Sequence, residues 1–168
     1  MVAATKDTVL AVADVDVQDL VSLLDRYALE LVVQQDDEPI TGSFWGESEA
    51  GIVGKTVYVR GDTPIHSVLH ESCHVICMSR DRRLQLNRDA GGDDLEEAAV
   101  CYLQVVLADY LRGVGRDRLM QDMDAWGYSF RLGSTREWFE HDSDDAREFL
   151  INQRLLAESG EPTFALRR

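Results

Sequence analysis

Residues His70-Glu71-Ser72-Cys73-His74 set two imidazoles one helical turn apart with a glutamate directly after the first, the H-E-x-x-H pattern. On an α-helix, positions 70 and 74 share a face, with their β-carbons about 5–6 Å apart, so both rings can converge on one ion. Zinc accepts neutral imidazole nitrogen at about 2.0–2.1 Å and keeps a position open for water in catalytic sites. Glu71 then stands beside the ligands rather than among them. Its expected role is general base, taking the proton from a zinc-polarised water that attacks a carbonyl.

The segment that must carry this motif is marked as a helix. Thr63 reads as its N-cap and Pro64 as its first residue, where a missing N–H costs nothing. Val68, Leu69, Val75 and Ile76 supply the buried stripe. A third protein ligand is needed, and Glu96 and Glu97 are the candidates, at the start of the strongly apolar segment Asp94 to Arg112. A carboxylate entering a buried helix calls for a partner. Adjacent helix positions differ by about 100°, so only one of the two can face the ion. The other is expected in solvent near the helix N-terminus, with Leu95, Ala99, Tyr102 and Val106 set into the core. Spacing alone leaves Glu96 and Glu97 open.

The remaining elements frame these helices. Residues Met1 to Ala13 read as a flexible arm ahead of a single domain, 14–168. Asp14 to Glu30 has the period of an amphipathic helix with Asp16 as N-cap, and Leu29 to Gln35 reads either as its extension or as a strand. Ser43-Phe-Trp-Gly and Thr56 to Arg60 are short strand-like runs separated by glycines, expected as an antiparallel hairpin. Arg116 to Trp126 and Ser143 to Glu158 read as further helices, the second capped by Ser143 and stopped by Gly160. The fold class is α+β: a helix and a small antiparallel sheet, followed by a helical bundle.

Composition narrows the function. The chain has 168 residues, 45% of them hydrophobic, and a net charge of −14. No segregated basic patch is visible in the sequence, so nucleic acid and anionic membrane surfaces are not expected partners. No targeting signal or long apolar run appears, and the three cysteines (Cys73, Cys77, Cys101) do not form a disulfide framework, which suggests a cytoplasmic protein.

The motif followed by a glutamate on a downstream helix resembles the zincin metallopeptidases, specifically their gluzincin branch. The compact bacterial peptidases that cleave regulators of phage immunity and radiation response are most similar in plan. The resemblance covers roughly residues 40 to 110. It implies a zinc-dependent peptidase with His70, His74 and Glu97 as ligands, since Glu97-Ala98 matches the start of that family's E-A-N-x-F-A-like stretch. It also implies a polypeptide substrate or regulatory protein held by an edge strand, here Thr56, Val57, Tyr58 and Val59. Ala99 stands where the family has Asn, and Cys101 where many members have an Asp that steadies a ligating His. The alternative function is a non-catalytic, zinc-stabilised partner-binding module on the same fold.

Lesser candidates complete the set. His66 shares the motif's face and is read as lying at the cleft rim, and Cys73 as structural. Tyr102, Tyr128 and His141 could donate to an oxyanion. Trp126 to Phe139 is read as cleft wall or core plug, and Asp89 to Asp94 as a flexible loop rather than a calcium site.

Overall fold

A computed structural model describes residues 8–43, 48–86 and 91–168. Residues 1–7, 44–47 and 87–90 lie outside the described residues, and with them all of the expected first strand but Ser43. The architecture is α+β, with seven α-helices and a three-stranded sheet among the described residues.

The chain enters already docked. Leu10 donates to the Asp122 carboxylate, Val12 to the Thr63 carbonyl and Ala13 to the Gly61 carbonyl, so residues 10–13 belong to the domain rather than to a loose arm. Helix α1 (Val17–Asp25) is capped by Asp16, as its sequence demands, and buries Leu20, Leu23 and Leu24. It stops short of Glu30 because Ala28 takes a left-handed conformation (φ 56°), which lets the chain reverse into strand β1 (Glu30–Val33). The ambiguous run at residues 29–35 is therefore a strand.

The sheet differs from the expected hairpin. Strand β2 (Gly51–Val53) pairs antiparallel with β3 (Thr56–Val59), but β1 adds parallel on the other side, giving a mixed sheet in the order β1-β3-β2. Val57 and Val59 point fully into the core while Thr56 and Tyr58 do not, as the period-2 pattern requires. Residues 41–43 cross the outer edge of β2. The Ile52 amide donates to the Gly42 carbonyl, and a β-carbon at Gly51 would lie 1.9 Å from the Thr41 carbonyl oxygen.

Helix α2 (Ile65–Cys77) carries the motif. Pro64, not Thr63, holds the cap position, because the Thr63 hydroxyl is committed to the Arg60 amide at 2.9 Å. At its other end the buried Arg83 guanidinium donates to the Val75 and Met78 carbonyls, and Arg167 donates to the Cys77 carbonyl, so orphan carbonyls are met by cations at the negative end of the helix dipole. Arg83 comes from α3 (Arg80–Leu84). Helix α4 (Asp94–Leu107), capped by Asp93, packs against α2 and against α7 (Asp144–Asn152). Leu69 and Val75 of α2 and Leu103 and Val106 of α4 lie in this core.

Helix α5 (Gly115–Trp126) ends at Gly127 in the left-handed region, and a further helix, α6 (Thr135–His141), forms where the sequence read as irregular. Its cap is Ser134, which accepts from the Glu137 amide. Helix α7 ends at Asn152, where Arg154 turns left-handed (φ 61°), and Ser143 makes no side-chain cap because its hydroxyl donates to the Phe139 carbonyl. The fold also assembles a basic patch that the sequence had dispersed. Lys55, Arg80, Arg83, Arg167 and Arg168 line one shallow cavity of about 590 Å³. Among the described residues, no helix is long and apolar enough to cross a membrane.

Candidate metal centre

Helices α2 and α4 cross so that three predicted residues meet. His70 Nε2 and His74 Nε2 lie 3.2 Å apart, and the Glu97 carboxylate reaches both, Oε1 to His70 and Oε2 to His74 at 3.0 Å each. Among the described residues this is the one group of His, Cys, Asp and Glu donors close enough to hold an ion, all within 4.8 Å of one another. Four-coordinate zinc with ligands at about 2.0–2.1 Å separates neighbouring donor atoms by about 3.3 Å. The observed spacings therefore fit donors around a single small cation.

The tautomer of His70 supports that fit. Gln104, fully buried on α4, donates from Nε2 to the His66 carbonyl at 2.8 Å, which orients its amide and turns Oε1 toward His70 Nδ1 at 3.0 Å. Nδ1 must then carry a hydrogen, which leaves Nε2 as the atom His70 offers to an ion. The Glu97 carboxylate, 3.0 Å from Nε2, can be met there by a proton or by a metal cation in its place. Burial alone would raise the Glu97 carboxyl, but bonds from His70 and His74 hold it well below the usual carboxylate range.

Gln104 was not foreseen. It lies two turns beyond Glu97 on the same face and interrupts an otherwise apolar run, and that signal was present in the sequence. It occupies the orienting role for which Cys101 seemed to leave no residue. Replacing Gln104 by Met keeps the volume and removes both bonds. The expected result is a 10- to 100-fold weaker zinc affinity, about the loss typical of a ligand-orienting partner. Competition with a chromophoric chelator measures it, and the ¹⁵N shifts of His70 should change from the Nδ1–H pattern to a mixture.

The burial of the two glutamates is the reverse of the expectation that the one away from the histidines lies in solvent. Glu96 is the buried one, paired with Arg82 at 2.8 Å and Arg167 at 3.4 Å, while the Glu97 side chain is 48% exposed. Leu95 also departs from the core stripe and is exposed, whereas Ala99, Tyr102 and Val106 are buried.

Glu71, Glu49, Ser67 and Tyr128 join His70 and Glu97 around an open cleft of about 370 Å³. Glu71 is only 7% exposed, and burial pushes its carboxyl above the ordinary value against the pull of His70 and His74. Tyr128 is the one oxyanion candidate of three that reaches this cleft. Its hydroxyl lies 3.2 Å from His66 Nδ1, and burial pushes it up to about 12, so it stays protonated. Tyr102 stacks on Phe139 away from the site, and His141 lines a different cavity. His66 is buried against Trp126 and Tyr128 rather than at the rim, and Cys73 is fully buried.

The chain matches no protein-family model, no curated protein and no solved structure. What the site does must therefore be argued from its own geometry.

The expected substrate strand is not at the cleft. Thr56, Val57, Tyr58 and Val59 form the central strand, hydrogen-bonded on both sides, so β3 has no free edge for an extended peptide. The sheet reaches the site through residues 49–50 ahead of β2. There the Ala50 amide donates to the Ser67 hydroxyl at 2.9 Å, and Ser67 in turn donates to Glu49. The Trp126 to Phe139 segment serves as both wall and plug. Gly127 and Tyr128 face the cleft, while Phe130 stacks on the buried Trp138 at 4.6 Å.

Proposed function

We propose that this protein is a cytoplasmic zinc-dependent metallopeptidase that hydrolyses a peptide bond in a polypeptide or regulatory protein. The observation that carries the reading is the convergence of His70 Nε2, His74 Nε2 and the Glu97 carboxylate within 4.8 Å, with Glu71 on the same open cleft. A metal held only for structure closes its fourth position with another protein donor, typically His, Cys, Asp or Glu, and no further residue of those types joins the group among the described residues.

His70, His74 and Glu97 would hold the ion, which when bound supplies Lewis acidity toward the substrate carbonyl and the attacking water. Glu71 receives the proton of that water as its oxygen bonds to the carbonyl carbon. The same proton passes from Glu71 to the departing nitrogen as the C–N bond breaks, leaving a carboxylic acid and an amine, between which the acid's proton then moves to give carboxylate and ammonium. Tyr128 offers a protonated hydroxyl at the cleft wall for the oxygen that gains negative charge. Gln104 keeps His70 in the ligating tautomer.

Two parallel measurements on the purified chain test this: elemental mass spectrometry for zinc, and cleavage of a mixed-sequence fluorogenic peptide library. About one zinc per chain is expected, with cleavage that stops on chelation and returns with zinc. A chain that takes up no zinc after refolding with it, or a loaded chain that cuts nothing, refutes the proposal.

A further inference from the structure

Glu49 sits in the cleft with no cationic partner among the described residues. Its carboxylate accepts from the Trp126 indole at 2.8 Å and from the Ser67 hydroxyl, both neutral donors, one on each oxygen. Each oxygen therefore keeps a lone pair for a further donor. Ser67 lies one turn before His70 and Glu71 on the same face of α2, so the anion is held beside the helix about one turn from the reacting centre. These two donors fix the carboxylate before any substrate arrives.

Charge decides what it would take. Glu49, Glu71 and Glu97 all line the cleft, and no Lys or Arg does among the described residues. A bound dication offsets two of these three negative charges and leaves one. Glu49 is the surplus, because Glu97 is a ligand and Glu71 faces the reacting water. A partly buried anion held by neutral donors favours an incoming cation far more than an exposed one would. The net charge of −14 also draws basic chains toward the protein.

We propose that Glu49 is a specificity-determining residue, binding a positively charged group of the substrate next to the scissile bond. That group is an ammonium or guanidinium, from a Lys or Arg side chain or from a free peptide N-terminus. The inference rests on the peptidase reading and goes further by naming a substrate class for the same site.

The test compares matched peptides carrying Lys, norleucine or Glu near the cleaved bond, each with a free and an acetylated N-terminus, on zinc-loaded wild-type and Glu49→Gln protein. Glutamine fills the same space and keeps one acceptor oxygen for Trp126, while the charge goes and an NH2 replaces the oxygen that accepts from Ser67. A preference of about 10- to 100-fold in kcat/KM for the cationic peptide is expected, falling toward unity in Glu49→Gln. Loss of the preference on acetylation assigns the N-terminus as the source, and loss with norleucine assigns the side chain. Calorimetry on the zinc-loaded Glu71→Gln protein reads the same preference as a ratio of Kd values. A binding preference without cleavage would sustain this inference while refuting the peptidase reading. Equal kcat/KM and Kd across the wild-type series, or a preference that survives in Glu49→Gln, overturns the assignment of Glu49.

Discussion

Replacing Glu71 by glutamine is expected to lower kcat/KM for peptide hydrolysis by about 10²- to 10⁴-fold while zinc content stays at the wild-type level. The amide fills the same space but cannot take a proton from water. Glu71 is 7% exposed, and burial already raises its carboxyl, so removing the charge does not cost the fold an essential ion pair. The thermal midpoint should therefore stay level or rise slightly. Residual cleavage is measured with the zinc-loaded variant at substrate concentrations well below KM, and zinc by elemental mass spectrometry on the same sample. Activity within a few-fold of wild type would remove Glu71 from the chemistry. Loss of zinc would instead make it a ligand.

The second large effect separates the adjacent glutamates. Glu97→Ala should lose zinc, its affinity falling by more than the about 10- to 100-fold that an orienting partner costs. Its side chain is half exposed and bonds only the two histidines, so the metal-free fold should hardly notice. Glu96→Ala should do the reverse, keeping one zinc and losing stability. Its carboxylate is 4% exposed and neutralises Arg82 and Arg167, which also serves the carbonyl of Cys77 at the end of the zinc helix. Both arginines retain some contact with water, which holds the expected cost to about 1–3 kcal/mol. For a chain of this length that is a fall of about 3–9 °C in Tm. Calorimetry and zinc content of the two variants decide the matter, and exchanged results would make Glu96 the ligand.

These predictions show where sequence was informative. His70 and His74 were legible because an α-helix dictates their spacing by itself: one turn puts both rings on one face whatever surrounds them. Asp16 as a cap and the alternation of Val57 and Val59 were legible for the same reason, as consequences of local geometry. The resemblance to gluzincins favoured Glu97, and the crossing of α2 and α4 is what brings that side chain to the histidines.

What depended on distant partners was not legible. Glu96 was expected in solvent because nothing near it in sequence reveals that Arg82 and Arg167 pack over α4. Thr63 had the composition of a cap, but its hydroxyl is bonded to the Arg60 amide. Strand β3 looked like an edge because the residues that become β1 read equally as helix, and only the left-handed turn at Ala28 brings them parallel to it. The sequence by itself determined the motif helix and the one-turn spacing that puts His70, Glu71 and His74 on it. The tertiary structure decided which glutamate meets them, that Gln104 orients His70, that Glu49 reaches the cleft and that β3 is closed to substrate. The division follows the range of the forces: helix periodicity is set within a few residues, whereas ion pairing, amide orientation and strand order depend on groups brought together only when the core closes.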